Sequence, residues 1–351
     1  MRIFFATTGA VLAVAAVATW WSQPQVAAGR PVLFWVTDPA PARAVQIEAF
    51  HAWLQARGDV DADGGPAATL RIDPNNGDQD KIMIQGVAGV AGDLIDTRSG
   101  DQLRLFNSLG ILTDLTGEAH ARGFGTADTW PATEPDLAVD GRQFAFPCNV
   151  TTRELWVNKA VFERLGQPLP AARWTFDEFE AAGRAFIAAA NASPGARGGE
   201  PTFFCDDVPL ETMYRSLGLG LFNETMTACD LDDPRYVDVL RRKHRWIYDE
   251  RLMPSPEDRA SMTASSGFGS LSAHLFRTGR LGLFFSGRYM LLAFRQAAEQ
   301  DGRPLPLGVV GLPHGGFPNS RALARSAAVY KGSENPALAK KFVEFLASDA
   351  Y

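Results

Sequence analysis

The chain has 351 residues, 46% of them hydrophobic and 21% charged, with a net charge of -6 at pH 7. That length corresponds to roughly two domains of about 150 residues each. An acidic balance with no cluster of Lys and Arg excludes nucleic acid as a partner, because phosphate binding needs concentrated positive charge.

The chain opens with Arg2, an apolar run from Ile3 to Trp21, a polar break and a small-residue site ending at Ala28. This is the layout of a secretory signal, with an uncleaved N-terminal anchor as the alternative. Either reading places the bulk of the chain outside the cytoplasm. No Cys follows the apolar run, so no lipoprotein anchor is expected.

"RPVLFWVTD" is an apolar run that reads as a strand buried on both faces. "PARAVQIEAFHAWLQAR" follows, with Val45, Ile47, Phe50, Trp53 and Leu54 at helical spacing and Gly58 just beyond. "AATLRID" is a second strand. "DQDKIMIQGVAGVAGDLIDTRSGD" gives a helix, a Gly-rich turn, the strand Asp93-Leu94-Ile95 and a polar loop, and "DQLRLFNSLGILTDL" gives a helix with Gly110 as its C-cap. This alternation predicts an α/β fold with mostly parallel strands. Ligands of such sheets bind beyond the carboxyl ends of the strands, which directs attention to "WVTD" and "IDTRSGD".

In "FPCNVTTRELWVNKAVFERLG" an apolar run breaks at Pro147, resumes at Leu155-Trp156-Val157 and turns at once into a helix at Asn158. From about Thr151 to Arg303 the chain is richer in helices, among them Phe176 to Asn191 with acidic residues in its first turn. A strand around Leu281 to Phe285 is followed by Ser286-Gly287, which reads as the opening of another helix. "LPLGVVGLPHG" is a strand ending in a turn, and Pro336 starts the helix in "NPALAKKFVEFLASDAY". The changes of character near Phe144-Asn149 and Leu307-His314 read as crossings between two lobes, a pattern that makes a cleft.

Three cysteines, Cys148, Cys205 and Cys229, cannot all pair. Cys205 with Cys229 as one bridge, or three buried thiols, are both open. "DVDADG", Asp59 to Gly64, begins like a calcium loop, but Leu70 stands where a bidentate Glu is required, so it reads as an acidic turn. The five His residues lack zinc-site spacing, and "GLGLF" lacks the third glycine of a dinucleotide fingerprint. No nucleophile elbow, Walker motif or singled-out carboxylate pair is present; no metal, cofactor or catalytic residue is expected.

Taken in order, "VLFWVTD...IEAFHAWL", "GVAGVAGDLIDTRSGDQLRLFNSLGILTDL", "FAFPCNVTTRELWVNKAVFERLG", "RWTFDEFEAAGRAF", "FRTGRLGLFFSGRY" and "VYKGSENPALAKKFVEFLAS" resemble the bacterial extracellular solute-binding proteins of ABC importers, in the carbohydrate-binding group related to maltose-binding protein. The resemblance runs through nearly the whole chain after the leader. Departures fall at Gly92, Glu154, Val157 and Arg288-Tyr289, where the family usually has Pro, a small residue, Tyr and Gly-x-Trp. It implies a two-lobed periplasmic-binding-protein fold of type II, each lobe a mostly parallel sheet flanked by helices. Lobe 1 is expected at 30–146 plus 312–351, lobe 2 at 147–311, with the hinge at Pro147 to Thr151. Another helix pair normally follows "FVEFLAS", so the chain is expected to be a fragment.

The function implied is reversible binding of a sugar or oligosaccharide by hinge closure, by a monomer that docks on membrane permease subunits. A sugar needs aromatic faces and planar polar side chains. Candidates at the strand ends are Trp35 and Asp38, then Thr97, Arg98, Ser99 and Asp101. Asn149 and Thr151 sit in the crossing, and Trp130 follows the turn-rich "GTAD". Ser286, Gly287, Arg288 and Tyr289 form the expected helix entrance, where free N–H groups meet a hydroxylated ligand. His314 follows the second crossing, while Trp156, Trp174 and Trp246 are expected in the core. Alternatives are a secreted carbohydrate-active enzyme, or a binding protein for a polyamine or other non-sugar solute.

Overall fold

The computed structural model describes residues 29–40, 42–73, 78–192, 201–223, 225, 227–262, 270–302 and 304–351. The expected signal or anchor, 1–28, lies outside them. The chain forms two compact units: the first runs to Asn149 and takes back Ala324–Tyr351, and the second is Val150–Leu323. Residues 312–323, expected with the first lobe, group with the second unit.

The strands, in chain order, are β1 (Val32–Val36), β2 (Thr69–Asp73), β3 (Leu94–Thr97), β4 (Ala138–Val139), β5 (Arg142–Gln143), β6 (Ala145–Asn158), β7 (Phe203–Cys205), β8 (Leu281–Gly287), β9 (Leu307–Val310) and β10 (Ala322–Val329). In the first unit β1 pairs in parallel with both β2 and β3, and β10 runs antiparallel to β3. The apolar run of β1 buries Leu33, Trp35 and Val36, as a strand covered by helices must.

Two helices distant in sequence cover one face of this sheet. The Ala42–Ala56 helix buries Phe50, Trp53 and Leu54, and the Pro336–Leu346 helix buries Phe342, Val343 and Phe345. Pro336 occupies the first turn of the latter, where a missing N–H costs nothing. Phe342 is the shared contact: its ring centroid lies 4.8 Å from Trp35 and 5.3 Å from Phe50. Its burial therefore ties the end of the chain to its first strand.

In the second unit β8 pairs in parallel with β7 and antiparallel with β6, which also pairs with β9. Its core is aromatic, with Phe179 4.6 Å from Trp246, 5.1 Å from Phe204 and 5.3 Å from Trp174. This places Trp174 and Trp246 where the sequence put them. A Cβ on Gly282 would come within 2.9 Å of the Phe186 ring, so the helix carrying Phe186 approaches β8 closely only because that residue is glycine.

Two expectations need correction. The break at Pro147 is not a break in structure, since β6 is one strand of 14 residues; what changes there is burial, with Asn149, Val150, Thr152 and Arg153 exposed between buried ends. The cysteines are neither bridged nor all buried: Cys148 and Cys205 are buried thiols and Cys229 is exposed.

Phe342→Ala removes the ring shared by strand and both helices. It is expected to lower unfolding stability by about 3–5 kcal/mol, read as a lower denaturant midpoint with an unchanged slope.

Candidate functional site

In the first unit the parallel strands β1 and β3 present their carboxyl ends at one edge, and the antiparallel register of β10 brings a third strand there, with Ser326 opposite Thr97 and Ala327 opposite Asp96. Four charged side chains converge on this edge. Asp96 accepts from Trp35 Nε1 at 2.5 Å and Thr37 Oγ1 at 2.6 Å, and Arg325 donates to it through Nε at 2.8 Å and through Nη2. The same guanidinium reaches Asp38 Oδ1 at 2.5 Å, which Arg43 approaches from the other side at 3.2 Å. Two acids and two cations make a cluster of zero net charge.

Burial pushes the Asp96 carboxyl up to about 7, although hydrogen bonds from Thr37 and Trp35 and the charge of Arg43 act to lower it. Arg325, in direct contact, acts in the same downward sense. Beneath the ion pairs, Thr97 and Ser326 hydroxyls share a hydrogen bond of 2.6 Å, and Ser326 donates onward to the Asp136 carbonyl. Asp38 is the outermost of the four charged groups, with 35% of its side chain exposed.

The residues expected at a ligand differ in their settings. Trp35 is fully buried, its ring packed on Phe342 and covered by the Arg43 guanidinium at 5.2 Å, so neither face is open to a solute. Thr97 is likewise fully buried and committed to Ser326. Ser99 is the N-cap of the Gly100–Ser108 helix. Arg98 is exposed beside it, and Asp101 pairs with Arg104 at 2.5 Å in the first turn of that helix. Trp130 is 64% exposed, Asn149 is exposed and Thr151 half-buried.

The second unit repeats the arrangement of strand ends. β7 and β8 are parallel, so Asp206 and Asp207, which follow β7, lie beside Phe285 and Ser286 at the end of β8. Here a cavity of about 370 Å³ is lined by Asp206, Asp207, Lys243, Met253, Arg259 and Phe285. Lys243 donates to Asp207 at 2.7 Å and to the Val208 carbonyl at 2.9 Å, and Arg259 donates to the Asp206 carbonyl. Asp206 accepts the Phe285 backbone N–H at 2.6 Å. Burial nevertheless pushes its carboxyl up to about 7.

The expected helix entrance at Ser286-Gly287 is instead the end of β8, and the helix begins three residues later at Met290. Ser286 is buried, with its hydroxyl donating to Tyr289 Oη at 3.3 Å. Gly287 is tightly enclosed, since a Cβ there would lie 2.7 Å from Thr151 Oγ1 and 2.8 Å from the Tyr289 ring. Of this group Arg288 and Tyr289 are exposed. Opposite Ser286 on β6 stands Glu154, whose carboxyl is raised by burial. His314 is half-buried, and its backbone bonds to Trp174 and Phe176.

Sequence reasoning missed Thr37, Arg43, Asp96, Arg325 and the Asp206-Asp207 pair. A signal for the acids exists: "WVTD", "LID" and "FFCDD" are all apolar strands that end in Asp. Nothing local marks Arg325, whose place depends on the pairing of β10 with β3.

Arg325→Met leaves Asp96 buried without its closest cation, and is expected to cost about 3–5 kcal/mol of unfolding free energy; Asp96→Asn in the same chain should recover part of the loss. Asp206 carries a pH effect of definite sign. Its carboxyl ordinarily titrates near 3.8 and in the fold near 7, so between those values the folded state keeps a proton that the unfolded chain releases. Its contribution to stability therefore declines as pH rises from about 4 to about 7 and is level above. Asp206→Asn should flatten that part of a plot of melting temperature against pH.

The family model for bacterial extracellular solute-binding proteins matches residues 65–351. No curated protein matches the chain at a significant level. Among solved structures, an ABC substrate-binding protein of Listeria monocytogenes in complex with cycloalternan superposes with a TM-score of 0.72 at 19% identity, covering 91% of this chain and 76% of that one. A solute-binding protein of Thermotoga lettingae bound with α-D-tagatose gives 0.69 at 17%, covering 91% and 77%. The maltose-bound MalE3 of T. maritima gives 0.69 at 18%, covering 90% and 77%. At such identities the likeness is one of fold, the periplasmic-binding-protein fold of type II. With the family match spanning most of its length, the chain belongs to the bacterial extracellular solute-binding proteins.

Proposed function

We propose that this chain is the extracytoplasmic substrate-binding component of an ABC importer, which takes up a sugar or oligosaccharide and hands it unaltered to membrane permease subunits. The observation that carries the reading is the setting of Asp38. Its Oδ1 is held by Arg43 and Arg325, while Oδ2 has no hydrogen-bond partner among the described residues. A carboxylate with its charge balanced and one oxygen free is a fixed acceptor for the hydroxyls of a neutral solute. The sugars held by the three structural neighbours support the same ligand class.

In this reading Asp38 and Arg98 of the first unit contact the solute, with Trp130 a further aromatic face. The passages of the chain from one unit to the other, at Asn149-Val150 and Leu323-Ala324, serve as the hinge. Residues 1–28 direct secretion, the protein acts as a monomer, and no covalent step is involved.

The test is calorimetric titration of the chain from Gly29 with a panel of mono- and oligosaccharides, sugar acids and polyamines, followed by chromatography of the recovered ligand. A saturable sugar isotherm with intact sugar is expected, and Asp38→Ala should weaken it about tenfold or more, the worth of one charge-assisted hydrogen bond. Recovery of cleaved sugar would show a carbohydrate-active enzyme instead. Binding confined to polyamines would sink the sugar reading while leaving the transport role standing.

A further inference from the structure

The helix Gln79–Val87 carries the chain back from the end of β2 to the start of β3, so the turn after it lies at the edge of the first sheet where the parallel strands begin. Asp38 follows the other end of β1. Between Lys81 and Asp93 no residue is charged, and only Gln85 is polar. Ile82 and Gly86 are buried, whereas Ile84, Val87 and Val90 are 69%, 66% and 69% exposed, three of the four most exposed aliphatic side chains among the described residues. Val87, Ala88, Gly89 and Val90 are exposed in succession. A surface turn is ordinarily polar, and a run of exposed apolar residues calls for a function.

Neighbouring elements extend this surface. Phe34 is exposed and adjoins the turn, since a Cβ on Gly92 would lie 3.2 Å from the Cβ of Phe34. Leu109 is exposed at the end of the Gly100–Ser108 helix, two residues before Ile111, whose side chain covers Gly86. The turn closes its own backbone: the N–H groups of Ala88, Gly89 and Val90 donate to the carbonyls of Ile84, Gly86 and Gln85 at 2.9, 3.3 and 2.9 Å. Gly89, at φ 83°, permits this helix end, because a side chain there would be strained. An apolar tip whose N–H groups are satisfied internally can leave water without orphaning a donor.

The sequence before β1 indicates what covers this surface. Ile3 to Trp21 is apolar and near spanning length, and Ser22 to Ala28 form a tether that reaches at most about 25 Å. The tether joins the fold at Gly29, just before β1, at the same edge as the Val87 turn. Protein interfaces anchor on Trp, Tyr and Arg, and none of Phe34, Ile84, Val87, Val90 and Leu109 is of that kind. We propose that this edge of the first unit rests on a lipid bilayer, with Ile3–Trp21 as an anchor retained after it has directed export. The aliphatic side chains dip into the bilayer surface, and the Asp38 end of β1 points away from the lipid. The contact uses none of the residues assigned to the solute and stands independently of that reading.

The test places the full chain in vesicles of phosphatidylethanolamine and phosphatidylglycerol. Cys229→Ser removes the exposed thiol and leaves the two buried ones unlabelled. In that background Val87→Cys carries a nitrobenzoxadiazole dye, and Leu240→Cys, on the exposed side of the Pro234–His244 helix, carries the same dye as the control. Blue-shifted emission at the Val87 site, quenched by nitroxide-bearing lipids, is expected, with neither effect at Leu240. Ile84→Gln with Val90→Gln should diminish both effects without lowering the melting temperature of the chain from Gly29. Emission at the Val87 site that matches Leu240 would overturn the proposal. A blue shift without lipid quenching would overturn it in favour of contact between copies of the chain. Recovery of a chain that starts at Gly29 from the membranes of a bacterial host would overturn it as well, the anchor having been cut away.

Discussion

The ion pair of Arg325 with Asp96 is the constraint on which the first unit turns. A carboxylate at the end of a buried parallel strand is strongly disfavoured unless a cation and hydrogen-bond donors meet it. Here the donors come from β1 and the residue that follows it, through Trp35 and Thr37, and the cation from β10, the last of the described strands. Satisfying one charge therefore fixes three strand ends at once. The same guanidinium then reaches Asp38, so the outward-facing group inherits its geometry from the buried one.

The second unit places an acid at the corresponding position and handles it differently. Asp206 also ends an apolar strand, but its closest partner is the neutral Phe285 N–H of the adjacent strand. Burial outweighs the partners in both cases and raises both carboxyls to about 7. Two aspartates in equivalent strand-end positions thus differ in the kind of partner that receives them.

Much of the fold was legible in the sequence because it depends on local pattern. The apolar run of "VLFWV", the helical spacing of Phe50, Trp53 and Leu54, and Pro336 at a helix start each specify their own element. The site was less legible because it depends on pairing. Trp35 looked like a platform for a ring, and only the arrival of Phe342 from the far end of the chain shows that its face is already covered. Ser286 and Gly287 looked like a helix entrance, but pairing with β6 carries the strand through them. Asp38 is marked in the sequence by its place after a strand end, whereas Arg325 has no such marker.

The exact balance of charge around Asp38 has a consequence for where the protein works. Outside the cytoplasm, salt concentration follows the surroundings of the cell. A site with an excess of either sign would lose affinity for its counter-charged ligand as counterions screened it. Two acids and two cations in mutual contact leave no net field to screen, and an uncharged solute offers none of its own. In the reading proposed above, capture at such an edge is nearly indifferent to ionic strength, so uptake keeps its affinity in dilute and concentrated media alike.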